Sequence, residues 1–131
     1  MARSIYIASP NAGTGKSTVA LGLIVCLTKV VAKVGVFRPF VDSRDEDPFL
    51  NLLLARSGSA TPAAQCIGVT WDEYHAAPEE SLSRIVDAYR AVARDHDVVI
   101  IDGSDFTDVA GTPELDLNAR VAANKIGRAH V

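Results

Sequence analysis

Apolar residues along the chain fall into two kinds of block. Short runs that are apolar at almost every position recur at Ile5-Tyr6-Ile7-Ala8, Val34-Gly35-Val36-Phe37 and Val98-Val99-Ile100-Ile101, with a weaker one over Cys66–Thr70. An unbroken run, as opposed to alternation, is expected where a strand is covered on both faces, as in a parallel sheet between helices. Longer segments with helical character separate these runs. The first starts near Lys16 and carries the apolar stretch from Val19 to Val30. The second opens with Asp47 as N-cap and Pro48 in first position and runs to about Ser57. In the third, Leu82, Ile85, Val86, Tyr89 and Val92 recur at i, i+3, i+4 and i+7. Pro78 starts it, and Glu79 and Glu80 suit the positive end of its dipole. Strand-helix alternation predicts an α/β fold with a doubly wound, mainly parallel sheet.

Between the first strand and the first helix stands Ser9-Pro10-Asn11-Ala12-Gly13-Thr14-Gly15-Lys16-Ser17-Thr18. A strand, a glycine-rich turn ending in Gly-Lys-Ser and a helix form the phosphate-binding loop of P-loop proteins. Glycines let backbone N–H groups converge on a phosphate, and the helix N-terminus adds its positive end. The candidate nucleotide-binding residues are Gly13, Thr14, Gly15, Lys16, Ser17 and Thr18. Lys16 would reach the terminal phosphates and the Ser17 hydroxyl would hold magnesium. The pattern departs at Pro10, where a P-loop has glycine; proline has no N–H to offer. The core from Ala12 to Ser17 resembles the variant loop of the dethiobiotin-synthetase and MinD-like branch. A loop that keeps the fold without the ligand is the alternative.

Asp97-Val98-Val99-Ile100-Ile101-Asp102-Gly103 has the form of a Walker B strand: apolar residues bury it, and a carboxylate at its C-terminal end faces the ligand crevice. Asp102 is the second candidate magnesium ligand, through water and opposite Ser17. The other reading is a strand that ends in a solvated Asp-Gly turn. The polar loop from Ser104 to Glu114 suits a lid or an interface. The acids in the loop from Arg38 to Asp47 suit either a cationic ligand or a solvated loop with helix-capping carboxylates.

At 131 residues the chain has room for one domain with a real core. A net charge of −3 with scattered Lys and Arg and few aromatics argues against a nucleic-acid partner. Cys26 and Cys66 form no metal-spaced cluster, and Cys26, inside the apolar helix, reads as a small core residue. His75, His96 and His130 have no ligand spacing. The apolar stretch Val19–Leu27 is about half of what crosses a bilayer. The first strand begins too early for a signal peptide, and a cytoplasmic protein with no membrane partner is expected. Ile126-Gly127-Arg128-Ala129-His130-Val131 looks like translated read-through of a sequencing adapter. Residues 1–125 then read as a P-loop-like domain incomplete at its C-terminus, with a helix begun at Leu117, and 126–131 as foreign. A genuine C-terminus is the alternative.

Taken with these motifs, the chain resembles the start of long-form bacterial phosphate acetyltransferases, closest to actinobacterial members. The resemblance runs through Ile5–Ala8, Gly13–Thr18, Ala20-Leu21-Gly22-Leu23, Val31–Pro39, Gly68-Val69-Thr70, Asp87-Ala88-Tyr89, Gly103-Ser104-Asp105 and Asn118–Ala122. It implies an N-terminal domain similar in fold to dethiobiotin synthetase, associated with regulation by small-molecule metabolites and with assembly of a homo-oligomer. ATP and Mg2+ are the cofactors that the P-loop implies. In the family, acetyl-CoA and phosphate are used by a downstream catalytic domain, so the resemblance implies no catalytic residue in this chain. Dethiobiotin synthetases have a lysine where Arg38 stands, a glutamate at Asp102 and a P-loop glycine at Ser9. Two other functions stay open: an ATP-dependent ligase of the dethiobiotin-synthetase or cobyrinate-amidating kind, and a ParA/MinD-type switch ATPase.

Overall fold

A computed structural model of the chain describes residues 3–9, 16–45, 47–105 and 128–130. The elements are β1 (Arg3–Ser9), α1 (Lys16–Leu27), β2 (Val34–Val41), α2 (Pro48–Ser57), a 3-10 turn at Ala63–Gln65, β3 (Ile67–Thr70), α3 (Trp71–Ala76), α4 (Pro78–Ala93), β4 (Val98–Asp105) and β5 (Arg128–His130). The strands are ordered β3-β2-β4-β1-β5, and every pairing is parallel. This is the α/β, P-loop NTPase-like sheet expected from the apolar runs. The three-residue edge strand β5 comes from the segment 126–131 and pairs with β1 from Ile5↔Arg128 to Ile7↔His130. The helix expected from Leu117 lies outside the described residues.

The runs of β2 and β4 each split between two cores, because successive side chains of a strand point to opposite faces. Phe37, Val99 and Ile101 pack with Val69, Ile85, Tyr89 and Val92 against α4. Val34, Val36, Val98 and Ile100 pack with Ala20, Ile24, Leu50 and Leu53 against α1 and α2. Both sheet faces are therefore dry, and the runs have no polar positions to alternate with.

Local chemistry sets the helix ends. Asp47 accepts from the amides of Phe49 and Leu50 at the start of α2, and Gly58, in the left-handed conformation at φ 72°, closes its other end. α3 is an addition to the expected elements. Thr70 Oγ1 accepts from the Glu73 amide, and Glu73 Oε1 accepts from the Thr70 amide. This reciprocal capping box starts a helix of six residues that buries no side chain.

Two expectations are corrected. β2 does not stop at Phe37. It pairs with β4 from Val34 to Phe37 and with β3 from Arg38 to Val41. The Arg38 amide donates to Cys66 on the β3 side, so the missing donor of Pro39 faces the other way, beyond the last pair with β4. Cys26 is not a core residue: it is exposed, whereas Cys66 is buried. α1 is apolar all round, so composition alone could not show which face turns inward. Burial pushes the Cys66 thiol up to about 11 and leaves it an inert packing group.

Candidate functional site

The site lies at the C-terminal edge of the sheet. β1 and β4 are hydrogen-bonded neighbours, with Ile7 opposite Asp102 and Ser9 opposite Asp105. The strand that leads into the glycine-rich loop thus ends beside the strand that carries the carboxylate. This adjacency suits a P-loop and a Walker B aspartate, because a ligand in an open α/β sheet binds outside the carboxyl ends of the strands. α1 begins at Lys16, directly after the loop.

Asp102 is 1% exposed. Its Oδ2 lies 3.2 Å from Nε of Arg38, which comes from the neighbouring strand β2. The same guanidinium reaches Asp47 through Nη1, and Asp47 in turn caps α2. One arginine thus ties the end of β4 to the first turn of α2. Charge compensation explains how a carboxylate can stay in a dry position.

The sequence-predicted residues divide accordingly. Gly13, Thr14 and Gly15 lie outside the described residues. Lys16 and Ser17 open α1, and Thr18 is exposed in its first turn. Asp102 lies within β4, which does not end there as expected but runs on through Gly103 and Ser104 to Asp105. In the loop after β2, Asp47 is the capping carboxylate, while Asp42 and Asp45 are exposed. Arg44 from that loop meets Glu73 Oε1 at 2.6 Å, and Arg84 of α4 meets Glu73 Oε2 at 3.0 Å. The Thr70 amide first, and then the two guanidinium groups, hold the Glu73 carboxyl down at about 2. The Arg38–Asp102 pair was missed. It depends on β2 lying next to β4, and no local sequence signal carries strand order.

Among the described residues no three His, Cys, Asp or Glu side chains gather to hold a metal. Arg38 itself is a permanent cation with a donor fork that matches phosphate or carboxylate. No helix among the described residues is long and apolar enough to cross a membrane.

A family model described as an AAA domain matches residues 3–126. The chain belongs to that family. It is also similar to the phosphate acetyltransferase of Nitratidesulfovibrio vulgaris, with 28% identity over 95% of this chain. The phosphate acetyltransferase of Synechocystis sp. is 27% identical over 93% of it. The resemblance read from the motifs is thereby borne out. The chain spans 19% of the length of each of these relatives.

Proposed function

We propose that the chain is the N-terminal regulatory and assembly domain of a cytoplasmic, homo-oligomeric phosphate acetyltransferase. That enzyme exchanges an acetyl group between coenzyme A and phosphate. The observation that carries the reading is the similarity over 95% of this chain to proteins of which it spans 19%. The acetyl transfer between coenzyme A and phosphate then belongs to the remaining four-fifths, and the crevice at the glycine-rich loop serves binding. Gly13, Thr14, Gly15, Lys16, Ser17 and Thr18 would hold the phosphates of a nucleotide, with Ser17 and Asp102 towards its magnesium. The ion, when bound, supplies charge neutralisation between phosphate oxygens. Arg38 orients Asp102 and offers a fixed positive charge to an anionic metabolite at the same crevice. Because Arg38 is ion-paired and cannot give up its proton, it does not replace the substrate-binding lysine of a ligase.

The test uses the complete protein. Phosphate-dependent release of coenzyme A from acetyl-CoA is expected. Removal of residues 1–125 should leave that activity in place while changing its response to metabolites and its oligomer size. A complete protein without phosphate-dependent coenzyme A release would overturn the reading.

A further inference from the structure

At the opposite edge of the sheet, a cavity of about 470 Å3 opens between the end of α2 and the turn before β4. Lys33, Ser57, Ser59, Thr61, Asp95 and His96 line it. His96 Nδ1 is 2.7 Å from the carbonyl oxygen of Val92. A carbonyl can only accept, so Nδ1 carries the hydrogen. In the neutral ring Nε2 then bears the lone pair, and the Ser59 hydroxyl, 2.8 Å away, donates to it. The Thr61 amide donates to the same Ser59 oxygen at 3.2 Å. β2 gives the ring its place: a Cβ on Gly35 would come within 2.8 Å of His96 Cγ. A nucleophile, a base in the correct tautomer and a group that orients the base are thus assembled beside an open cavity.

We propose that Ser59 is a nucleophilic serine, with His96 as its general base, that accepts an activated acyl group from a small ester or thioester. Ser59 Oγ forms a bond to the acyl carbon while its proton passes to His96 Nε2. The tetrahedral adduct then breaks its bond to the alkoxide or thiolate, which leaves with the proton from Nε2. The Thr61 amide, aimed at Oγ, favours negative charge on that oxygen. Lys33 and Asp95 place one charge of each sign at the cavity, which suits a donor without net charge.

A fluorophosphonate probe tests the assignment on the complete protein, since its phosphorus bonds to an activated serine oxygen as fluoride leaves. Mass spectrometry is expected to find the adduct on the peptide that contains Ser59 and to lose it in Ser59→Ala. In His96→Gln the labelling rate should fall by about 100-fold. No Ser59 adduct on folded wild-type protein would overturn the proposal, as would a rate indifferent to His96→Gln. Should His96→Gln lose its near-UV circular dichroism, His96→Asn takes its place, and an unchanged labelling rate in that folded variant overturns the proposal.

Discussion

Arg38 and Asp102 meet across neighbouring parallel strands, Nε to Oδ2 at 3.2 Å, with the carboxylate side chain wholly buried. The two ends of this pair are not equivalent. Arg38→Ala takes the guanidinium away from a buried charge, a change that typically costs about 3–5 kcal/mol. Asp102→Asn removes the buried charge itself and leaves Arg38 with Asp47. We expect Arg38→Ala to destabilise by about 3 kcal/mol and Asp102→Asn by about 1 kcal/mol. Urea midpoints of the two variants check this, and equal shifts would remove the pair from the account.

Asp47 has two duties that substitution can separate. Its Oδ1 caps α2 and its Oδ2 meets Arg38. Asparagine caps as well as aspartate but has no charge. Asp47→Asn should therefore cost well under about 1 kcal/mol, because the Arg38 contact is partly exposed. Asp47→Ala should lose the cap too and cost about 1–2 kcal/mol. Thermal melts of both variants at one pH measure the difference.

How much of this was legible in the sequence depends on how local the cause is. Asp47-Pro48 placed the start of α2 because capping is settled within one helical turn. The runs at Val34 and Val98 read as two-sided strands because both faces of the sheet are covered. α3 has no sequence signal beyond the capping-box spacing of Thr70 and Glu73. Six residues that bury no side chain show no periodicity. β2 was cut short because Arg38-Pro39 interrupts its apolar run, while its second half is held by β3, well away in sequence. The Arg38–Asp102 contact is non-local in the same sense.

Glu73 gives the fold an acid-sensitive contact. Its carboxyl lies at about 2 in the folded chain against an ordinary 4.5, chiefly through the Thr70 amide and then through Arg44 and Arg84. A depressed carboxyl contributes stability that is fully present above the unfolded value and is lost as pH falls through the folded one. The melting temperature should therefore drop between about pH 5 and pH 2. Glu73→Gln should lower it at neutral pH and flatten that acid limb. An unchanged slope in Glu73→Gln would assign the acid sensitivity to other carboxylates.

Gly68 sits in the middle of β3 for a steric reason. A Cβ there would meet the Pro39 carbonyl oxygen at 2.4 Å and Ile85 Cγ1 at 2.9 Å. The nearer obstacle is backbone and cannot rotate aside, so β2 and β3 would have to part. Gly68→Ala should destabilise by about 2 kcal/mol, in the range of overpacked cores. Gly22→Ala is the control, since nothing lies within 4 Å of a Cβ there and a helix favours alanine over glycine. That variant should be at least as stable as wild type by chemical denaturation.

The side-by-side ends of β1 and β4 lead to the prediction that matters most for the phosphate-binding loop. Ile7 stands opposite Asp102 and Ser9 opposite Asp105, so β1 ends beside the strand that carries the Asp102 carboxylate, and α1 starts at Lys16. If a nucleotide binds there, only the folded state binds it. Mg-ATP should then stabilise the complete protein by ~2.7 kcal/mol at about 100-fold excess over Kd. Lys16→Ala removes the cation expected on the terminal phosphates and should abolish the shift. Arg38→Ala should lower the baseline stability and weaken the shift without abolishing it, because Arg38 acts through Asp102 and not on the loop. Melting curves with and without millimolar Mg-ATP separate the outcomes. No shift in wild type identifies a loop that keeps the fold alone, a result that Pro10, with no N–H to give, would account for.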